Sequence, residues 1–434
     1  MGINKRLLGG IAALAAGALA FMPAAARAGN APTPLPGAPL PAAKSAVPGW
    51  SELIAHLADL PDRMLARLPP SMQADPQVRQ EVARLALEAL TSQGLDAIGG
   101  DADAPEFLPV IGYLFNVGQP NADTIYRTAR INGRASYRLR GTKGSLKLAI
   151  IAQAVPRNAE TGTGRTQLDL SQVKVDKQGR FDVLLSAARP AGYKGEWWDL
   201  RPAANRLLFR QVSSDWAHEK APVVTIERVD KPAGRPRRSA AELEKRLRGL
   251  PQMIDTIALL FVDHVAKLRS EGFINKVKIL DVSSGGGLVG QFYYEGAYDL
   301  ADDEALIVES AVPKVCRYRS LILTNDIYET TDWYNNHSSL NDAQAPADSD
   351  GKLRIVISAA DPGVANWIDT AGHPTGLLQG RWMGCDSQPI PVLTKVKLSE
   401  LAAHLPADLR RVTPDQRQAI IRARRAGQLA RPLW

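Results

Sequence analysis

DTIYRTARINGRASYRLRGTKGSLKLAIIAQ, residues 123–153, decides the fold class. Its apolar, β-branched and aromatic residues alternate with polar ones over short runs, and Asn132-Gly133 and Lys143-Gly144 cut the runs apart. A period near two, broken by turn residues, predicts antiparallel strands. Outward from it the same texture continues in RFDVLLS (180–186), RLLFRQVS (206–213) and VVTIERV (223–229). A second block follows in VKILDV (277–282), QFYYEGAYDL (291–300), ALIVESA (305–311), YRSLILTND (318–326), LRIVISA (353–359), GLLQGRWMG (376–384) and VLTKVKL (392–398). Evenly spaced short strands without intervening helices argue for sandwiches or jelly rolls rather than βαβ units.

Helical periodicity flanks and separates the two blocks. Ser51 is placed to cap a helix to about Leu68 with Leu53, Ile54, Leu57 and Leu60 on one face, and Asp75–Ser92 carries Val78, Val82, Leu85 and Leu87 or Leu90. Ser239 and Glu242 form a capping-box pattern before a stripe of Ile254, Ile257, Phe261, Val265 and Leu268 that ends near Gly272. Thr413-Pro414-Asp415-Gln416 opens a basic C-terminal helix. The expectation is an α+β protein. Its N-terminal helical region (49–104) precedes a first β-sandwich lobe (105–235). A helical connector (236–274) leads to a second lobe (275–398) and C-terminal helices (399–434). No internal repeat emerges from residue-by-residue inspection.

Lys5 and Arg6 precede an apolar run, Leu7–Met22, too short and too rich in Ala and Gly for a good membrane span. Ala26-Arg27-Ala28 reads as a cleavage site, so 1–28 is expected to be a signal peptide and Gly29 the mature start, with an uncleaved anchor as the alternative. A Pro/Ala-rich tether, 29–48, follows. These features predict a periplasmic or secreted protein that spans no membrane after cleavage. The formal charge of +8 falls to about +5 when Lys5, Arg6 and Arg27 leave with the signal. With no basic stripe interleaved with aromatics, nucleic-acid binding is not expected. The clusters Arg235–Arg238 and Arg422–Arg425 read as solvated charge. Cys316 and Cys385 are the chain's two cysteines and form a candidate disulfide, two free buried thiols being the alternative.

Candidate chemistry concentrates in loops. Gly285-Gly286-Gly287-Leu288-Val289-Gly290 matches a dinucleotide fingerprint, but a strand-like rather than helical segment follows it, which favours a turn. In Asn121–Arg127, Asp123 is a candidate acid or base, with Tyr126 and Arg127 to line a cleft, against a reading in which Asn and Asp cap their own backbone. Glu196-Trp197-Trp198-Asp199 offers Trp198 as a stacking platform, although neighbouring strand residues point to opposite faces. His337 follows Trp333, and His373 lies four residues after Asp369. An Asp–His contact would set the tautomer and raise the basicity of the imidazole. Asp123, His337, Asp369 and His373 are therefore the catalytic candidates. Tyr126, Arg127, Trp198, Trp333, Asn366, Trp367, Arg381 and Trp382 are the candidate ligand contacts. No metal-ligand spacing is present, and neither a metal nor another cofactor is expected.

The late segment Asp361-Pro362-Gly363, Ala365-Asn366-Trp367-Ile368-Asp369, Leu377–Trp382 with Gly380-Arg381-Trp382, and a closing strand over Pro389–Val396 resembles the family known as domain of unknown function 1214. Asn121-x-Asp123-Thr124-x-Tyr126 is similar to a motif of partner domains often found with that family, although the chain lacks a clearly recognisable full partner domain there. The resemblance implies a jelly-roll-like β-sandwich. It implies no reaction, and no catalytic residue is carried over from it. The residues themselves leave three functional readings: an envelope protein that binds or processes a hydroxylated small molecule or carbohydrate, a hydrolase or lyase using the Asp and His groups, and an assembly protein that forms a homo-oligomer through its sandwiches.

Overall fold

A computed structural model describes residues 45–155, 167–281 and 287–432. The expected signal peptide and most of the tether, as well as Gly285 and Gly286, lie outside the described residues.

Helices α1 (Trp50–Leu65), α2 (Pro70–Ala74) and α3 (Pro76–Gly99) open the body. The α1 N-cap is Gly49 at φ 86°, two residues earlier than expected, because only glycine takes that conformation without strain, and the Ser51 hydroxyl instead accepts a bond from Ser45 N–H. Helix α3 runs past the expected end at Ser92, and Leu87 on its outer side is exposed. The expected single stripe over 254–268 is divided between α4 (Ala240–Ala258) and α5 (His264–Ser270). Leu60, Met64, Val82, Leu85, Ala89, Leu250 and Ile254 share one apolar core, so α1, α3 and α4 form a single bundle.

The first sandwich contains β1 (Thr124–Arg130), β2 (Tyr137–Thr142), β3 (Leu148–Ala154), β4 (Gln167–Asp169), β5 (Arg180–Ser186), β6 (Glu196–Asp199), β7 (Arg206–Val212) and β8 (Val223–Arg228). Its sheets, β1-β7-β3-β4 and β6-β5-β2-β8, close over Tyr137, Leu139, Ile151, Val183, Leu185, Trp198, Leu207 and Phe209. The second contains β9 (Lys278–Asp281), β10 (Gln291–Asp299), β11 (Glu304–Ala311), β12 (Cys316–Thr324), β13 (Ser339–Asn341), β14 (Lys352–Ser358), β15 (Trp367–Asp369), β16 (Thr375–Cys385) and β17 (Val392–Lys397). Its sheets, β13-β12-β16-β10-β9 and β15-β14-β11-β17, enclose Tyr294, Tyr298, Leu306, Leu321, Leu323, Ile355, Ile357 and Trp382. A 3₁₀ segment (Leu398–His404) and α6 (Pro414–Leu429), with its full Thr413/Gln416 capping box, complete the fold. The fold is α+β with N-terminal helices, as the strand and helix periods predict.

The sandwiches repeat one topology. Read from β10, the sheet order β10-β16-β12-β13 reproduces β1-β7-β3-β4, and β15-β14-β11-β17 reproduces β6-β5-β2-β8. Each copy contains a parallel pair, β5 with β6 and β14 with β15, where the sequence predicts antiparallel pairing throughout. The equivalence extends to side chains. Trp197 Nε1 donates to Ser186 Oγ at 3.0 Å, and Trp367 Nε1 to Ser358 Oγ at 3.0 Å. Each serine in turn donates two residues on, to the carbonyl of Ala188 or of Ala360. The motif behind this is Ser-Ala-Ala-x-Pro followed by Trp-x-Asp, at 186–199 and 358–369. The serine-to-tryptophan spacing differs by two residues between the copies, which hides the repeat from a fixed-period search.

Cys316 and Cys385 face each other across β12 and β16 with their Cα atoms 3.9 Å apart, and are joined in a disulfide. Nearby, β16 packs its backbone against Tyr294: a Cβ at Gly380 would stand 1.7 Å from that ring. Gly380→Ala is therefore expected to cost about 1–3 kcal/mol by overpacking. Urea unfolding would check this, and an unchanged midpoint would contradict it.

Candidate functional site

A cleft of about 720 Å³ lies between α3, the segment after β12 and the turn before β16. Glu81, Arg84 and Glu88 project from one face of α3, as three- and four-residue spacings require. Arg84 donates to Glu329 from Nε (3.2 Å) and Nη2 (2.7 Å), joining the helix to the second sandwich. Asn325 shapes the Glu329 loop: its Oδ1 accepts from the N–H groups of Ile327 and Glu329, and its Nδ2 donates to Glu329 Oε2 at 2.6 Å. Asn116 closes another side, donating its N–H to Glu88 Oε2 at 2.8 Å and exchanging bonds with the Thr330 backbone.

His373 enters the cleft from a turn with Ala371 at φ 53° and Gly372 at φ 83°. Asp369 holds this turn by accepting from Ala371 N–H at 2.8 Å. The expected Asp369–His373 contact is therefore indirect: the carboxylate positions the loop that bears the imidazole. The His373 ring makes no hydrogen bond to the described residues, and burial lowers its pKa. Glu88 is pushed up to about 7, first by burial and then by the nearby Glu329 charge. Burial likewise raises Glu329. One cleft thus holds a carboxyl that keeps a proton near neutrality and an imidazole that stays neutral. Six acidic side chains line it (Asp75, Glu81, Glu88, Asp326, Glu329 and Asp332) against the single guanidinium of Arg84. Among the described residues, no three His, Cys, Asp or Glu side chains converge as a metal site.

The other candidates occupy different places. Asp123 is 2 % exposed and knits the body together: Trp216 Nε1 and Asn341 Nδ2 donate to its Oδ1 at 2.7 Å each, and the Tyr318 hydroxyl donates to Oδ2 at 2.5 Å. Burial raises its pKa. It has no open face for substrate, so the acid–base role expected of it does not fit. His337 is also buried; its Nδ1–H donates to the Trp367 carbonyl at 2.6 Å, its ring lies parallel to that indole, and Arg417 donates to its Nε2 at 3.4 Å. Trp198, Trp367 and Trp382 fill apolar cores, and Asn366 donates to the carbonyls of Pro346 and Arg354. Arg381 is buried over the Tyr293 ring, and Arg127 lies half-buried beside the Pro432 carbonyl. An exposed stacking platform does not fit these tryptophans, whose burial their sequence neighbours could not reveal. Trp333 and Tyr126 do line a cavity, a small aromatic one beside the cleft. In the basic cluster at 422–425, Arg424 is not solvated: it lies 4.5 Å from the Trp216 ring centroid and bonds Gln344 and Ser339. The glycine motif leads into strand β10, so the helix N-terminus that a dinucleotide requires does not follow it.

His337 carries a pH prediction. Burial, then the charges of Arg424 and Arg417, hold its pKa well below the usual value. The unfolded chain takes up a proton near pH 6.5 while the folded chain does not, so this group's contribution is full above that pH and declines below it, by up to ~1.4 kcal/mol per unit. Between pH 7.5 and 5.0, His337→Asn, which keeps the donor to Trp367, is expected to lose about 2 kcal/mol less than the wild type. Parallel losses in urea titrations at the two pH values would contradict this assignment.

Residues 298–378 match a family described as protein of unknown function (DUF1214). No curated protein matches the chain. A crystal structure of an uncharacterised protein from Burkholderia cenocepacia is similar at 28% identity and a TM-score of 0.74, covering 81% of this chain and 97% of that one. The VPA0106 protein from Vibrio parahaemolyticus aligns at 12% identity and a TM-score of 0.43, over 73% of this chain and 98% of that one. The matched segment supplies the Glu329 loop, the His373 turn and most of the second sandwich, and the match agrees with the resemblance to the domain of unknown function 1214 read from the sequence.

Proposed function

We propose that this protein binds a small hydroxyl- or amine-bearing molecule, carbohydrate included, in the cleft between α3 and the second sandwich, and that it does so in the cell envelope after export. The cleft carries the reading: it is concave, large, and lined by hydrogen-bonding side chains around an imidazole whose ring makes no hydrogen bond to the described residues. The excess of carboxylates over Arg84 favours neutral or cationic ligands and disfavours anions. The apolar run at 7–22 and the Cys316–Cys385 disulfide support export into an oxidising compartment. N-terminal sequencing of protein from the periplasmic fraction tests that part, with Gly29 as the expected first residue and an intact Met1 as the contrary result.

The binding reading is tested by following histidine proton resonances while sugars, polyols and amino alcohols are added. The His373 signals are expected to move and those of buried His337 to stay. Ligand-induced shifts confined to His337, or none from any compound at millimolar concentration, would refute it.

A second reading has its own support. Glu88 protonated near neutrality and His373 neutral form the kind of pair that transfers protons in a hydrolase or lyase. Here the acid–base groups are Glu88 and His373, with Asp123 and His337 confined to structure. A bell-shaped pH profile of turnover that loses one limb in Glu88→Gln would support it, and an unchanged profile would exclude it.

A further inference from the structure

The polar cleft has a neighbour of opposite chemistry. The small cavity beside it, about 60 Å³, is lined by Phe115, Ile125, Trp333 and Tyr334. Tyr113 and Leu114 line both cavities, so the two meet along one short segment of chain. The Tyr113 and Tyr334 rings stack at 3.9 Å, and Trp333 stands edge-on to Tyr113 at 5.5 Å, giving the small cavity a rigid aromatic wall. Leu114, at the junction, is 60% exposed and offers apolar surface between the two cavities. The cavity exceeds the ~10–15 Å³ that a single water needs and suits a small ring or a short branched chain rather than a second polar unit.

We propose that the natural ligand is bipartite, with a hydroxyl- or amine-bearing head in the polar cleft and an aryl or branched apolar end in the aromatic cavity, bridged over Tyr113 and Leu114. This rests on the cleft being a binding site and adds the class of molecule it takes. The stacked Tyr113–Tyr334 pair and Trp333 give the apolar end an aromatic wall, and Leu114 is covered when the linker passes over it. The head retains the cleft's hydrogen-bonding groups, with His373 as the ring free to donate or accept.

The test uses the full chain and three probe pairs that differ by an aryl group: methyl and phenyl β-D-glucopyranoside, glycerol and 3-phenoxy-1,2-propanediol, and ethanolamine and 2-amino-1-phenylethanol. Calorimetric titration is expected to show the aryl member of at least one pair binding about tenfold or more tightly than its partner, as burial of a ring predicts. Ile125→Ala and Tyr334→Ala, at positions that line the aromatic cavity and not the cleft, should each reduce that advantage to about threefold or less and leave the head-only probe unchanged. Equal affinities within every pair, or an aryl advantage that survives both variants, would overturn the proposal while the cleft reading stands. Aryl probes that bind independently of the head group would also overturn it. Failure of all six probes to bind would remove both readings.

Discussion

Replacing Asp123 with alanine is expected to cost about 3–5 kcal/mol of folding stability. Three donors converge on this one carboxylate from the first sandwich (Trp216) and the second (Tyr318 and Asn341). The C-terminal segment reaches the same residue, since Arg431 Nη2 donates to the Asp123 carbonyl at 2.6 Å and Gln428 donates to that of Ala122. Alanine leaves buried donors unpaired, each at a cost of about 1–3 kcal/mol, so the sum is a large share of a typical domain's stability. Asparagine should be milder, about 1–2 kcal/mol, because its carbonyl oxygen still accepts two donors and its amide can donate to the Tyr318 oxygen. Denaturant unfolding of the two variants checks the assignment. An alanine variant as stable as the wild type would contradict it.

The second large effect has the opposite sign. Glu88→Gln is expected to stabilise the protein by about 1–3 kcal/mol at pH 8 and to change little at pH 4. With a folded pKa of about 7 against an unfolded value near 4.5, Glu88 keeps a proton in the folded chain that the unfolded chain releases. The contribution of Glu88 to stability therefore declines as pH rises from about 4.5 to 7, and is flat above that range. Glutamine removes the titration and still accepts from Asn116 N–H. The lower end of the expected range allows for the partial exposure of the side chain, 16%. A stability retained at low pH and given up at working pH is typical of groups held for binding or proton transfer. Urea midpoints of both proteins at pH 4 and pH 8 decide the point, and a variant less stable at pH 8 would contradict it.

The sequence made the strands and helices legible because alternation and the 3.6-residue period act locally. It did not reveal the parallel pairs β5·β6 and β14·β15, since pairing direction depends on where a connection returns. The repeated topology was hidden by the unequal Ser-to-Trp spacing and by core positions filled with different apolar residues. At the site, His373 was legible as a loop histidine with Asp369 close in sequence. Asp123 and His337 looked equally reactive, because a side chain consumed in buried hydrogen bonds reads the same as one facing solvent. Glu81, Arg84 and Glu88 carried a signal that the apolar stripe of α3 obscured: three charged residues at helical spacing, on a face the bundle core does not cover. Their partner Glu329 lies 245 residues from Arg84, beyond any local pattern.

The central claim, that the cleft between α3 and the second sandwich is a ligand site, is met most directly by thermal-shift screening of the wild type beside Asn336→Trp, which places an indole in the cleft from a half-buried loop position. Sugars, polyols and amino alcohols, with their aryl derivatives, form the panel. At least one compound is expected to raise the melting temperature of the wild type in a concentration-dependent manner and to leave the blocked variant unmoved. Equal shifts in both proteins, or none in the wild type across the panel, would contradict it.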